Sequence, residues 1–317
     1  MKHVFVLGTP FSGSTFLTSA LDAHPNVFAV GEFERLPKFK RYEHLVGQEP
    51  DIYDDACFLC RAFDRPCPIW HDGTRNAIAG HRNVFESHRY LADLAQRHLA
   101  KSPSVVIDSS KTPDWLRYSA RTLAGANIGY RTAKDENVCA IITTKSVFGF
   151  AESMMRRSGL SPILVGQMWC DVTTDALRIV AALSIPSIIV RYEDFSQNRR
   201  SLLLRLLRFL NLPADDQAVD VLTDASVSES HGIGGNAFAY KKVLGDRLSS
   251  IDVRGSWESL RAQYVREDAV SERRWIRELN EATVDLIAST RGVHDLSQQL
   301  GYDLNFEIKL FRKGRKA

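Results

Sequence analysis

The chain has 317 residues, 44% hydrophobic and 25% charged, ordinary proportions for a folded protein long enough to bury a sizeable core. Its formal net charge is +3, but the last nine residues carry five basic side chains and no acidic one, so the body has no basic excess and a general nucleic-acid binder is disfavoured. No stretch approaches the length of a membrane span, five cysteines make a poor disulfide framework, and the apolar start is too short, and too broken by Gly8 and Pro10, for a signal peptide; the expectation is a cytoplasmic protein.

Short apolar runs alternate with helical patterns, which predicts the α/β class: one domain over residues 1–317, with a central parallel β-sheet flanked by helices. A strand at His3–Leu7 runs through a polar loop into a helix at Ser14–Ala23. Residues 48–84 mix cysteine, proline and aromatics without a period and read as an irregular insert over the active site. A helix at Glu86–Ala100, a strand at Ser104–Ile107, a helix at Asp114–Leu123 and a strand at Val138–Thr143 follow. Helices at Phe148–Arg157 and Ile163–Leu183 precede a strand at Ser187–Arg191 and a helix at Arg199–Leu210 that is apolar on most sides. The last predicted helix, Glu272–Thr290, places Trp275, Leu279, Ala282 and Leu286 on one stripe. The basic end, Lys309–Ala317, reads as a solvated tail, partly disordered.

The strongest local signal is the strand-loop-helix start, Val4 to Leu17. Phe11, Ser12, Gly13, Ser14 and Thr15 would aim backbone N–H groups, hydroxyls and the positive end of a helix dipole at one anion. A plain capped turn fits the same residues. The loop has no lysine, so it is not the Gly-Lys-Ser/Thr loop that holds a nucleoside triphosphate with Mg²⁺, and a phosphotransferase is disfavoured.

Further segments follow in order: Leu21-Asp22-Ala23-His24-Pro25-Asn26-Val27 with Gly31-Glu32; Val106-Ile107-Asp108-Ser109-Ser110-Lys111-Thr112-Pro113; a strand running into Lys145 through Ser153; Val190 to Phe195; and His231-Gly232-Ile233-Gly234-Gly235-Asn236, leading to Trp257. With the loop, these resemble the PAPS-dependent sulfotransferase superfamily (PAPS is 3′-phosphoadenosine 5′-phosphosulfate), in its bacterial and tyrosylprotein-like branch. The resemblance runs over residues 3–302 and implies a P-loop-like sulfotransferase fold. It implies transfer of a sulfuryl group from PAPS to an acceptor hydroxyl, leaving PAP, with no metal expected.

By that resemblance Glu32 is the general base and Lys111 stabilises the transition state. Phe11 to Thr15 hold the 5′-phosphosulfate, and Lys145 and Ser153 hold the 3′-phosphate. His231, Gly235 and Asn236 belong to a late loop closing over the donor, Lys241 and Lys242 add charge near the 3′-phosphate, and Tyr192 lies near the adenine or packs in the core. Two positions depart from the family pattern. Phe11 stands where the loop usually has lysine or arginine, and Lys145-Ser146-Val147-Phe148 replaces Arg-Asp-Pro-Arg. A catalytically silent PAP- or PAPS-binding module is the alternative that Phe11 favours. The resemblance leaves the acceptor open, with a small molecule or glycoconjugate expected.

Cys57, Cys60, Cys67 and His71 raise the question of zinc. The pattern lacks a second clean Cys-x₂-Cys pair, and relatives show a similar stretch ending Cys-Pro-x-Trp, here Cys67 to Trp70, so zinc is not expected.

Overall fold

A computed structural model describes residues 1–36, 57, 60, 65–124, 137–223, 231–233 and 274–315. Strand β1 (Lys2–Gly8) enters helix α1 (Ser14–Asp22), and β2 (Val27–Gly31) ends in a single 3₁₀ turn at Phe33–Arg35. Helices α2 (Asp72–Gly80) and α3 (Val84–His98) lead to β3 (Val105–Lys111), α4 (Pro113–Ala124) and β4 (Val138–Thr144). Helices α5 (Val147–Ser158) and α6 (Pro162–Ala182), strand β5 (Ser187–Arg191), and helices α7 (Tyr192–Gln197), α8 (Arg199–Leu210) and α9 (Asp216–Thr223) follow. The chain ends in α10 (Arg274–Glu278), α11 (Glu281–Ala288), α12 (Val293–Gln299) and α13 (Leu304–Gly314).

The five strands form one parallel sheet in the order β2-β3-β1-β4-β5. Side chains alternate across it, as the strand period of two requires. From β1, Phe5 and Leu7 join the core under α3 and α6, while Val4 and Val6 join the core with Leu17, Leu203 and Leu206 from α1 and α8. Both faces are covered, which is why the central strands read as unbroken apolar runs. A third cluster packs α5 and α6 against the C-terminal helices through Phe148, Trp169, Trp275 and Phe311.

Four expectations change. The helix expected over Glu272–Thr290 is two helices, because Asn280 accepts from the Thr283 N–H at 2.8 Å and starts α11 afresh. The break re-aims the buried face onto Thr283, Val284 and Ile287, and Leu286 of the expected stripe is exposed. The insert over 48–84 contains the regular helix α2. The basic end is helical through Gly314, and its Phe311 is buried against Trp275, rings 5.9 Å apart. One more strand, β2, is present than the apolar runs alone indicate.

No helix among the described residues is long and apolar enough to cross a membrane.

Candidate active site

The chain goes from β1 outward to β2, returns at β3, then crosses to β4 on the far side of β1. The carboxyl ends of β1, β3 and β4 therefore flank a switch in connection direction, the usual ligand position in an open α/β sheet. Every strand ends there at a residue singled out by the sequence. Leu7 of β1 is in register with Lys111 of β3, and Gly8 with Thr143 of β4. Glu32 follows β2, Lys145 follows β4, and Tyr192 follows β5.

The loop after β1 is held in an unusual backbone shape. Phe11 has φ 63° and Gly13 φ 84°. Gly13 is the N-cap of α1 and brings no capping side chain to the helix start, an end whose backbone N–H groups and dipole favour an anion. A side chain at Gly13 is barred twice, by its φ and because a Cβ would lie 2.4 Å from a ring carbon of Tyr192. Ser12 Oγ lies 2.7 Å from Thr143 Oγ1, and Thr143 donates to the Leu7 carbonyl at 3.1 Å, which ties the loop to β4. Ser14 and Thr15 are buried at the head of α1.

Lys145 reaches from the end of β4 to Ser153 Oγ on α5 at 3.4 Å, and its ammonium stands 5.1 Å from the centre of the Tyr192 ring. Tyr192 is thus wedged between the loop and the lysine rather than packed in the core. Burial lowers the Lys145 pKa, opposed by Glu152 and Glu193. The turn carrying Lys145 is fixed on three sides. Trp169 Nε1 donates to the Lys145 carbonyl at 2.9 Å, the Ser146 N–H donates to Glu193 at 2.9 Å, and Tyr302 Oη donates to the other Glu193 oxygen at 2.9 Å.

At the opposite rim, the buried Glu32 carboxylate is paired through one oxygen with Lys111 and through the other with Arg35. Lys111 has φ 73°, and the turn leading to it is shaped by buried Asp108, which accepts from the Ser110 N–H at 3.0 Å and from Trp115 Nε1 at 2.6 Å. Positive φ at a side chain as long as lysine is uncommon and a recurrent feature of functional sites. Glu34, two residues beyond Glu32, accepts from Thr112 Oγ1 at 2.7 Å. Burial pushes its carboxyl up to about 7, with Asp108 and Glu32 adding to the rise and Lys111 opposing it.

Residues 3–216 match the family model described as the Sulfotransferase family. The chain belongs to that family. Among solved structures it is similar to the sulfotransferase domain of the Synechococcus PCC 7002 olefin synthase, at 18% identity, 91% coverage of this chain, 94% of that chain and TM-score 0.46. It is also similar to the sulfotransferase domain of the curacin biosynthetic pathway, at 16%, 95%, 98% and 0.47. A sulfotransferase from Alicyclobacillus acidocaldarius gives 14%, 68%, 83% and 0.38. No curated protein matches.

In this sulfotransferase the structure brings together Phe11 to Thr15, Lys145, Ser153 and Tyr192 at one rim, and Glu32 with Lys111 at the other. Gly235, Asn236, Lys241 and Lys242 lie outside the described residues. His231 is described, and it stands in a group of buried cysteines. Sequence reasoning missed Glu34, whose surroundings are assembled by tertiary contacts. It also missed Arg157, which lies 4.3 Å over the Phe11 ring. Arg157 had a signal, since it follows Ser153 by four residues on one helix and so shares its face.

Proposed function

We propose that this sulfotransferase moves a sulfuryl group from PAPS to a hydroxyl of a small-molecule or glycoconjugate acceptor, giving a sulfate ester and PAP. The observation that carries the reading is the position of Tyr192. Its ring touches the Gly13 loop on one side and faces the Lys145 ammonium on the other. Backbone N–H groups and a half-buried cation therefore border one aromatic ring, the distribution that suits a nucleotide phosphorylated at both its 5′ and 3′ positions.

In the transfer, the acceptor oxygen attacks sulfur in line as the bond from sulfur to the bridging phosphate oxygen breaks. The bridging oxygen keeps the electron pair, and the acceptor proton passes to a carboxylate. Glu32 is that base and Lys111 the cation facing the departing oxygen, helped by the N–H groups at the head of α1. Their resting pair gives the two roles a common trigger. Sulfuryl oxygens entering the site compete for the Lys111 ammonium, and the released Glu32 carboxylate becomes free to take the proton. Arg157 over Phe11 supplies positive charge beside the loop position that lysine or arginine occupies in relatives.

Calorimetry of PAP against 5′-AMP, on the wild type and on Lys145→Ala, tests the donor site. The expected result is a preference of roughly tenfold or more for PAP that the substitution removes, since a charge-assisted contact is worth about 1.5–3 kcal/mol. Equal binding of the two nucleotides by the wild type would sink the reading. PAP binding with no transfer of label from PAPS to any hydroxyl acceptor would instead leave the silent binding module that Phe11 favours.

A further inference from the structure

Cys57, Cys60, Cys67 and His231 are all buried, and their ligand atoms lie within 4.8 Å of one another. His231 Nδ1 is 3.4 Å from the sulfur of Cys57 and 3.5 Å from those of Cys60 and Cys67. Zinc bonds of about 2.3 Å to sulfur and 2.0–2.1 Å to nitrogen, at tetrahedral angles, put the nitrogen about 3.5 Å from every sulfur. The three near-equal separations are the edges of that tetrahedron. Hydrogen bonding accounts for one of them only, because one ring nitrogen has a single donor or acceptor site. A disulfide does not account for the cluster either. The closest sulfurs, of Cys57 and Cys67, are 3.4 Å apart against about 2.05 Å for a bond.

The surroundings fit thiolate ligands. The Cys60 N–H donates to Cys57 Sγ at 3.2 Å and the Trp70 N–H to Cys67 Sγ at 3.3 Å, the outer-shell hydrogen bonds that orient metal-bound sulfur. His231 is held from the other side, its carbonyl accepting from Trp70 Nε1 at 2.5 Å. The cysteines belong to an apolar core that includes Ile69, Trp70 and Ile233. His71, the fourth ligand considered from the sequence, is elsewhere engaged. It caps α2, accepting from the Thr74 N–H at 3.3 Å.

We propose that Cys57, Cys60, Cys67 and His231 bind one zinc ion in a closed, structural Cys₃His site. Four protein ligands leave no open position for substrate, so the ion's role is to fasten chain segments far apart in sequence. The segment it fastens pairs with the one that carries the candidate base. Ile233, two residues beyond His231, pairs with the end of β2: its N–H donates to the Val30 carbonyl at 2.9 Å, and its carbonyl accepts from the Glu32 N–H at 2.7 Å. The approach is so close that a Cβ on Gly31 would fall 2.0 Å from the Ile233 oxygen. Zinc thereby locks the backbone on which Glu32 sits, a departure from the metal-free expectation of the sequence.

Metal analysis of the full chain, produced with zinc in the medium and dialysed without chelator, is expected to find about one zinc per chain. X-ray absorption at the zinc edge should show three sulfur neighbours and one nitrogen. Cys60→Ser and His231→Ala should lose most of the zinc, while His71→Ala and Cys139→Ala retain it. If the first two variants do not fold, the wild type still decides. Cobalt(II) replacing the zinc should give thiolate-to-cobalt charge transfer and tetrahedral visible bands, and chelation should lower the melting temperature. A folded wild type without stoichiometric zinc and without the cobalt spectrum would overturn the site, as would zinc retained by folded Cys60→Ser and His231→Ala. No step of the sulfuryl transfer passes through this ion, so the donor-binding experiment stands or falls separately.

Discussion

Glu32 and Glu34 are two residues apart and meet opposite surroundings. Glu32 lies between two cations, whereas Glu34 is pushed up to about 7 by burial and by neighbouring carboxylates. With Glu32 as the base, Glu32→Gln should lower kcat by about 10²–10⁴-fold, the usual worth of general-base catalysis, while Glu34→Gln costs far less. A base works only when deprotonated, so a rate limited by Glu34 would fall as pH drops through about 7. A profile whose acid limb near that pH vanishes in Glu34→Gln, with Glu32→Gln still active, would move the role to Glu34. Arg157 can be judged by rescue. Arg157→Ala should lower kcat by about 10²-fold, the typical loss for one group aimed at developing charge, and adding Phe11→Lys should recover part of it. No recovery, or no loss to recover, would remove Arg157 from the chemistry.

At the scale of elements, the site depends on how α1 begins and how the segment after β4 turns. Gly13→Ala places a methyl against Tyr192 at a φ unfavourable to alanine. It should weaken PAP binding by roughly tenfold or more, because the ring borders both proposed phosphate sites. Unchanged affinity in calorimetry would show that Tyr192 does not shape the donor site. The strand-loop-helix start was readable because its signals are local: an apolar run, small residues in the loop, then a helical pattern. Strand β2 was not. Val27–Gly31 is only five residues long and is recognised as a strand by its register with β3. The division at Asn280 also hid, since Trp275, Leu279, Ala282 and Leu286 fit one helix until the cap is seen to restart it.

On the scale of the whole molecule, the C-terminal helices support the proposed donor site from beyond the 3–216 span of the family match. Tyr302 donates to Glu193, which holds the turn of Lys145, and Glu307 on α13 lies close enough to Glu193 to feel its charge. Burial pushes Glu307 up to about 7. A carboxyl raised on folding stabilises the fold fully below its unfolded value and loses that contribution as pH rises through the folded one, here between about 4.5 and 7. Glu307→Gln should therefore raise the melting temperature at pH 8 more than at pH 5, by the equivalent of roughly 1–3 kcal/mol at most. A gain independent of pH would mean that the ionised carboxylate is not the cost.

Much of this protein was determined by its sequence alone. Strands β1, β3, β4 and β5, most of the long helices and the loop after β1 follow from short-range pattern, and the candidacy of Lys145 with Ser153 and of Glu32 with Lys111 from the family resemblance that the ordered motifs carry; neither needs knowledge of what packs where. Only the tertiary structure decided which side chains share a neighbourhood. It paired Glu32 with Lys111, set Arg157 over Phe11, and placed Tyr192 between the loop and Lys145. It also chose His231, 164 residues beyond Cys67, over nearby His71 as the partner of the three cysteines. Sequence spacing carries information along one helix or strand, whereas parallel pairing and loop docking join residues whose separation in the chain says nothing about their distance in space.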